Sequence, residues 1–393
     1  MKSTKSLPIK QWLYSSLQMD CWSFKKRQML AFCIIIMVSG IFNGSIAGLD
    51  TFLLKAMCNK ICYLASRSKI SWESLRFLYE KWAIRLIITI STITGLPIWI
   101  SVDDTLQNKD KRSKNIVKGG KKKQKEGFSF VTAVIGVGYF FIPLIPRQCF
   151  RKDVSTKIGK NYVSKTYVAE NLVQLWYDYG LANHFVVILA DSWYSSKRMM
   201  KKCLELNFAL VCTIKSNRLL NKKQIKRYRT GVRCYERLEL HTEKYLYRLY
   251  LRFETLNGIS QPVTVLLSQR SSQTERKKTW RYILCMGLEL DKIEILNWYH
   301  KRWAVETFHQ IWKNRFGLSN WRLQSVKGIQ NLATITTMVI GFAVYCFIRK
   351  NDNYYDLVDL TLENCVIAIA LSEIRKRLIF TKVIADPFIQ KLL

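Results

Sequence analysis

The sequence predicts a mixed α/β fold: a mixed sheet with flanking helices, an inserted antiparallel β-region and an amino-terminal helical domain. Three observations lead to this prediction. Short apolar runs typical of buried strands alternate with stretches of helical period between residues 91 and 216. The period changes to two between residues 217 and 288, and residues 1–90 are rich in apolar residues at helical spacing.

The amino-terminal region contains apolar-rich stretches at residues 30–42 and 52–63 that indicate helices, and a third helix is expected at residues 72–86. Two uncharged stretches, residues 29–49 and 328–348, approach the length of about 20 residues that a membrane-spanning helix needs. Both also contain several polar or glycine residues, so we favour buried helices and expect no membrane partner. A membrane protein with two spans stays open as the alternative.

The central region supplies the predicted strands of the sheet. Residues 96–102 form an apolar run that ends at Asp103-Asp104-Thr105, and residues 185–190 form the clearest buried strand, which Asp191 follows directly. Further strands are predicted at 128–139, 140–145 and 209–214, helices at 164–179 and 195–207, and an exposed basic loop from Lys109 to Lys125. Three strands followed by helix, strand, helix and strand is the RNase H-like order.

The remaining elements follow the change of period. Apolar and aromatic residues occupy mostly alternate positions from Leu238 to Phe253, and β-rich runs at residues 263–267 and 280–286 continue the inserted antiparallel region. A long helix is predicted from Asp291 to Phe316, capped by Gly317. The apolar helix at 328–348 and a helix around 363–378 complete the chain.

The charge of the chain is strongly unbalanced. Lys and Arg number 63 against 28 Asp and Glu, which gives a net charge of +35, and the excess is spread over the whole length. Such self-repulsion usually goes with a polyanionic partner, so we expect DNA or RNA. Basic runs at 222–229 and 276–278 have an aromatic residue close by, as expected for backbone contact. A basic protein kept soluble by its charge is the alternative.

The cysteine pattern excludes two classes of site. The chain has 11 Cys and 4 His, with no CxxC pair and no Cys/His cluster at zinc spacing. The odd count and the absence of a regular spacing also argue against a disulfide framework. We therefore expect a reducing, intracellular setting.

Carboxylates at strand ends are the candidates for chemistry. Asp104 and Asp191 each follow an apolar run, where Asp is also common as a turn residue or helix cap. For either residue alone the structural role is favoured. Phosphoryl transfer on DNA, however, needs carboxylates that hold two divalent ions, and the ends of neighbouring strands suit that need.

A third acidic residue lies in the long predicted helix. Tyr299, Arg302, Glu306 and Lys313 are separated by three, four and seven positions, which puts them on one face of an α-helix. A solvated face with salt bridges would have the same pattern. Several apolar and aromatic neighbours of Glu306 argue against a face that is simply exposed to water.

These residues resemble a known family, the insertion-sequence transposases of the DDE superfamily whose third motif is Y-(2)-R-(3)-E-(6)-K. Tyr299, Arg302, Glu306 and Lys313 match that motif without a gap. Asp103-Asp104-Thr105 resembles the first motif and Ala190–Tyr194 the second, so the resemblance covers roughly residues 95–345. The lysine-rich stretch after Thr105 departs from the family pattern.

The resemblance implies an RNase H-like catalytic core and an enzyme that cuts and joins DNA. It implies that Asp104, Asp191 and Glu306 hold two Mg²⁺ ions, with Mn²⁺ as a substitute, Asp104 being preferred to Asp103 because the family's Asp directly precedes Thr. It also implies that Tyr299, Arg302 and Lys313 contact DNA phosphates. Trp193 and Trp280 could stack on an unpaired base, although core packing is the favoured role for any single Trp.

Five segments follow from this reading. They are a helical, DNA-binding domain (1–90), the first part of the core (91–216), the β-rich insertion (217–288), the second part of the core (289–348) and a carboxyl-terminal helical segment (349–393). The expected partners are double-stranded DNA, at transposon ends and target, and a second protomer in a homodimer on DNA. The expected location is the cytoplasm, with the nucleoid.

Three other functions remain open at this point. The first is a catalytically inactive or repurposed DNA-binding protein derived from a transposase. The second is a structure-specific endonuclease that does not join ends, and the third is the membrane protein considered above.

Overall fold

The computed structural model describes most of the chain: residues 11–19, 30, 52–108, 117–119, 125–231, 236–240, 243–271, 280–316, 323, 325–349 and 353–359. Several predictions fall outside the described residues. These are the helix at 30–42 apart from its first residue, the helix at 363–378, the basic run at 276–278 and the cap at Gly317.

The described elements occur mostly in runs of one type, with helix and strand alternating only between residues 165 and 213. The helices are α1 (Phe52–Arg67), α2 (Trp72–Thr94), α3 (Lys152–Lys157), α4 (Lys165–Trp176), α5 (Lys197–Glu205), α6 (Lys292–Lys301), α7 (Trp303–Arg315), α8 (Val326–Ile348) and α9 (Tyr354–Val358). The strands are β1 (Ile98–Asn108), β2 (Val117–Gly119), β3 (Lys125–Val137), β4 (Phe140–Pro143), β5 (Arg147–Cys149), β6 (Val186–Ala190), β7 (Ala209–Thr213), β8 (Leu219–Leu220), β9 (Lys223–Gln224), β10 (Glu236–Leu240), β11 (Glu243–Thr255), β12 (Pro262–Ser271) and β13 (Trp280–Met286). Two π-helical turns (Trp12–Ser16 and Tyr177–Leu181) and a 3₁₀ helix (Ile225–Gly231) lie between them.

The chain divides into two compact units. The first unit holds Met1–Leu96, Asp104–Lys165 and Glu306–Leu393, and the second holds Pro97–Asp103 and Thr166–Val305. Strand β1 and helix α7 therefore contribute residues to both units. The five segments derived from the sequence stay a prediction.

The second unit contains a large mixed sheet. Its strands lie in the order β10, β11, β12, β13, β7, β6 and β1. Strands β1, β6 and β7 are parallel, whereas β13 joins β7 in the antiparallel sense and β10 to β13 form an antiparallel ladder. Helix α6 packs against β6, β7 and β13. The predicted mixed α/β class and the antiparallel inserted region are thus confirmed, and β8 and β9 form a separate small antiparallel pair.

Strands β6 and β7 can be recognised in the sequence because they are buried. Every residue of β6 is buried, and so are the first four residues of β7. A strand that is covered on both faces has no polar alternation, so it reads as a continuous run of β-branched and aliphatic residues. Burial of that apolar surface is the main favourable contribution to the stability of this part of the sheet.

The first unit is built around α8. This helix packs against α1, α2 and β4, and most of its residues are buried. The packing with α2 is close at Gly341, where a Cβ atom would lie 2.5 Å from Cε2 of Tyr79. Arg76 of α2 donates hydrogen bonds to Thr334 and Asn331 of α8, at 3.1 and 2.8 Å.

Helix α8 is also long and apolar enough to cross a bilayer, with a mean hydropathy of 1.8 in its most apolar window. Among the described residues it alone meets those two criteria. A buried core helix meets them as well, and 83% of that window is buried within the protein. The prediction of a helix at residues 328–348 is confirmed.

The basic stretch from Lys109 to Lys125 is not a loop throughout. Residues Val117–Gly119 form strand β2, which pairs with Lys125–Gly127 of β3 in the antiparallel sense. The prediction of a continuous exposed loop is therefore wrong for these residues. Lysine-rich composition suggested a solvated loop, but strand pairing engages backbone groups and does not depend on apolar side chains.

Four described cysteines are buried: Cys149, Cys203, Cys212 and Cys285. Burial raises the pKa of Cys203 and of Cys285 to about 12, and that of Cys149 to about 11. These thiols are protonated near neutral pH and are poor nucleophiles and metal ligands. These four residues, together with Cys62 and Cys346, are free thiols.

Candidate active site

Asp191 follows β6 and opens a tight turn. Its Oδ1 accepts hydrogen bonds from the backbone N–H groups of Trp193, at 2.8 Å, and Tyr194, at 3.4 Å. The carboxylate is half-buried. Asp191 thus has the structural role that is common for Asp after a strand, and its fixed orientation at a strand end also suits a ligand to a cation.

The register of β1 against β6 sets the position of Asp103. Val102 pairs with Ala190, so Asp103 and Asp191 are the next residues along two parallel neighbours. The carboxyl ends of parallel strands meet at one edge of a sheet, and this edge is where ligands bind in open α/β folds. Strand β1 itself continues to Asn108, but its pairing with β6 ends at Val102, so the second unit brings Asp103 and Asp191 to the point where the parallel pairing ends.

Asp104 lies inside β1 and not at its end, because the strand continues to Asn108. Side chains alternate along a strand, so Asp103 and Asp104 point to opposite faces. Their partners differ accordingly: Asp103 Oδ2 lies 3.4 Å from Nη1 of Arg302, whereas Asp104 Oδ2 accepts a 2.5 Å hydrogen bond from Nζ of Lys165. Lys165 was not among the predicted site residues.

The predicted long helix is interrupted at Arg302. Helix α6 begins after Asp291, whose side chain and that of Glu294 form a capping box, and it ends at Lys301. Helix α7 begins at Trp303. The Arg302 carbonyl accepts a hydrogen bond of 3.0 Å from Ser101 Oγ, which links this residue to strand β1. Arg302 itself keeps helical backbone angles (φ −55°, ψ −29°), so the predicted helix is present as two consecutive helices joined at this one residue.

Arg302 is fixed from several sides. It is 7% exposed, its guanidinium lies 5.4 Å from the ring centre of Tyr299 and 5.5 Å from that of Trp303, and Asp103 is its charged neighbour. Arginine favours such stacked positions because its guanidinium is planar and weakly hydrated. The structure thus brings the predicted residues Tyr299 and Arg302 together.

Glu306 and Lys313 lie on α7, and both are half-buried. Like Asp104, they belong to the first unit, whereas Asp191, Tyr299 and Arg302 belong to the second. Two residues that hold the motif were missed: Ser101, which binds the Arg302 carbonyl, and Asp103. Their signal was a pair of polar residues at alternate positions in the otherwise apolar first half of β1, residues 98–103.

Helix α7 is anchored in the first unit by buried aromatic packing. Trp312 is fully buried, stacks on Phe308 at 5.5 Å and meets the ring of Phe130 edge-on at 5.2 Å. Its indole N–H donates a 2.8 Å hydrogen bond to Thr336 Oγ1. These contacts fix the rotation of α7 about its axis, and with it the direction of the Glu306 side chain.

The donor chemistry of the predicted triad suits Mg²⁺, since all three residues offer carboxylate oxygens. In the part of the chain that the structure describes, however, no group of three or more His, Cys, Asp or Glu residues is arranged to hold a metal ion. Lys165 also supplies a positive charge to the Asp104 carboxylate. The carboxylates are therefore of the type that Mg²⁺ prefers.

Lys301, between Tyr299 and Arg302, has an unusual environment. Burial lowers its pKa from 10.5 to about 8, and its ammonium lies 4.2 Å from the ring centre of Trp298. Between pH 8 and 10.5 the unfolded chain keeps a proton that the folded chain has released, so this group makes stability rise with pH in that window. Below pH 8 the cost of burying the charge is present in full.

We expect Lys301→Met to stabilise the fold at pH 7, because it removes a buried charge. The gain should shrink as pH rises from 8 towards 10.5, where the lysine of the wild type is itself neutral in the folded state. Urea unfolding of both proteins at pH 7 and pH 10 measures the difference. Lys201→Met, at an exposed position on α5, is the matched control and should show no such pH dependence. The prediction is contradicted if the stability difference between Lys301→Met and the wild type is the same at pH 7 and pH 10.

Comparisons with known proteins found a match to one family model and a similarity to a solved structure. Residues 172–342 match the family model described as Transposase DDE domain, a range that includes Asp191 and the whole motif from Tyr299 to Lys313 but not Asp104. No curated protein matches the chain in sequence. Among solved structures the chain is similar to a piggyBac transposase, seen by cryo-EM in a synaptic complex with hairpin DNA. That similarity has 13% identity and a TM-score of 0.46, and it covers 98% of this chain and 82% of that chain.

Proposed function

We propose that this protein is a DDE transposase that binds the terminal repeats of its element, cleaves the DNA ends and joins them to target DNA. The observation that carries the proposal is the match of residues 172–342 to a transposase DDE domain, since this range contains Asp191, Glu306 and the Tyr299–Lys313 motif. The net charge of +35 supports a polyanionic partner.

In this proposal Asp104, Asp191 and Glu306 are the carboxylates that hold divalent metal, Mg²⁺ or in its place Mn²⁺. A pair of such ions, when bound, supplies the charge that activates the attacking oxygen and stabilises the leaving oxygen. Asp191 enters the reaction with its orientation already fixed by two backbone N–H groups. Lys165, which neutralises Asp104, would have to move from that carboxylate for a metal ion to bind there.

Arg302 and Tyr299 would hold a phosphate of the transposon end. The guanidinium is already oriented by Asp103 and by the flanking rings, so binding costs little additional side-chain entropy. Lys313 of α7 would add a further positive charge. Water and then the freed 3′ hydroxyl would be the nucleophiles, with no covalent enzyme–DNA intermediate, and two protomers would act on paired ends.

A second candidate is a DNA-binding protein that keeps the fold of a transposase without its activity. The Lys165–Asp104 ion pair, which engages one of the candidate metal ligands, favours it. An endonuclease without joining activity is the enzymatic rival. The three functions differ in what they do to DNA in Mg²⁺: cleave and join, bind only, or cleave only.

The test uses the purified full chain and a plasmid that carries the DNA flanking its coding sequence on both sides, where an insertion sequence has its terminal repeats. With Mg²⁺ we expect double-strand breaks at both flanks and joined products in a second plasmid, and neither with EDTA. Binding without breaks would support the inactive DNA-binding protein. Breaks without joined products would support the endonuclease.

A further inference from the structure

The turn after β6 exposes a large aromatic ring beside a candidate catalytic residue. Trp193 is 59% exposed, whereas its neighbour Tyr194 is fully buried. Core packing, the usual role of a tryptophan, therefore does not account for Trp193. Its backbone N–H binds Asp191, so the ring is attached to the same turn that orients the carboxylate.

This turn is rigid. Besides the contacts of Asp191, Ser195 Oγ donates a 2.9 Å hydrogen bond to the carbonyl of Ser192, and Arg218 Nη2 donates one of 2.9 Å to the carbonyl of Ser195. Ser196 Oγ then accepts from the N–H of Met199 and caps α5. An aromatic ring on a fixed backbone loses little conformational entropy when it binds a ligand, which favours affinity.

A cation lies next to the ring. Lys215, which follows β7, places its ammonium 5.7 Å from the ring centre of Trp193. Lys197 and Lys201 of α5 are exposed on the helix that starts at the end of the turn. An exposed indole with a cation over its ring, in a basic surrounding, has the chemistry that binds single-stranded nucleic acid: the ring stacks on a base and the cation binds the phosphate.

We propose that Trp193 and Lys215 form a platform for one unpaired nucleotide, with its base stacked on the indole and its phosphate bound by the ammonium. The nucleotide must be unpaired, because the faces of bases inside a duplex are covered by their neighbours. That the nucleotide belongs to a cleaved or opened DNA end rests on the proposed function. Stacking itself needs neither metal nor catalysis.

Fluorescence anisotropy of labelled DNA in EDTA tests the platform. The probes are a short duplex with a single-stranded thymine tail and the same duplex with an abasic tail. The wild type should bind the thymine tail more tightly, and Trp193→Ala should weaken that binding by about 10-fold while leaving the abasic tail unaffected. Trp193→Phe, which keeps a ring, should retain much of the preference for the base.

Lys215→Ala should weaken binding of both tails alike and reduce the slope of affinity against salt by about one phosphate contact. Phe253→Ala, which removes a ring that is 65% exposed on β11, is the matched control and should change nothing. An unchanged ratio between thymine and abasic tails in Trp193→Ala would overturn the proposal. EDTA prevents metal-dependent cleavage, so this measurement tests only nucleotide binding. The proposed transposase activity is tested separately by the plasmid experiment in Mg²⁺.

Discussion

Asp191→Asn, Asp104→Asn and Glu306→Gln are each expected to lower Mg²⁺-dependent DNA cleavage by about 1,000-fold or more. Each change removes a charged ligand oxygen, and bound metal ions contribute several kcal/mol to stabilising the charge of the transition state, where each 1.36 kcal/mol is a factor of ten. The rate of break formation on the flanking-DNA plasmid is the measurement. DNA affinity in EDTA should stay within about two-fold of the wild type, because these residues are proposed to hold metal and not phosphate.

Matched controls separate this effect from a general loss of negative charge. Asp178→Asn, on the π-helical turn after α4, and Glu205→Gln, at the end of α5, remove carboxylates that play no part in the proposed site. Both should cleave like the wild type. If one triad variant also cleaves at the wild-type rate, that residue is not a ligand, and if all three do, the metal site is wrong.

Asp103→Asn distinguishes the two neighbouring acids of β1. Asp103 contacts Arg302 and Asp104 contacts Lys165, so the two variants should fail in different ways. We expect Asp103→Asn to weaken DNA binding through Arg302 and to keep cleavage at saturating DNA, whereas Asp104→Asn should lose cleavage with binding intact. The reverse pattern would assign the metal to Asp103.

Trp312→Ala should lower the free energy of unfolding by about 3–5 kcal/mol, the usual cost of deleting a buried large aromatic side chain. The ring is fully buried between Phe308 and Phe130, and its N–H binds Thr336, so the variant loses packing and a hydrogen bond together. Urea unfolding followed by circular dichroism measures the change. Because α7 carries Glu306, cleavage should fall as well.

Two further variants serve as comparisons for the loss of stability in Trp312→Ala. Trp312→Phe keeps a six-membered ring but loses part of the indole and the donor to Thr336, so its cost should be smaller than that of the alanine variant. Tyr63→Ala, which removes a ring that is 52% exposed on α1, should change stability by less than about 0.5 kcal/mol. Equal stability of Trp312→Ala and the wild type would show that α7 is not anchored by this residue.

The strands were predictable where both faces are buried. Residues of β6 read as a continuous apolar run because the whole strand is buried, and the antiparallel strand β11 has apolar or aromatic residues at mostly alternate positions. Strand β2 was not predictable, because its lysine-rich surroundings look like a loop and its pairing with β3 is made by the backbone. The contact of the Arg302 carbonyl with the hydroxyl of Ser101 was equally hidden, since the two residues lie 201 positions apart in the chain.

The sequence by itself determined the mixed α/β class and the antiparallel insertion, because these follow from local period. The residues of the candidate site rest on a family resemblance and stay a prediction. Only the tertiary structure decided which partners those residues have. It separated Asp103 from Asp104 by pairing them with Arg302 and Lys165, and it left Trp193 exposed while it buried Tyr194. The physical reason is that partner choice and burial depend on contacts between segments far apart in the chain, which no local pattern encodes.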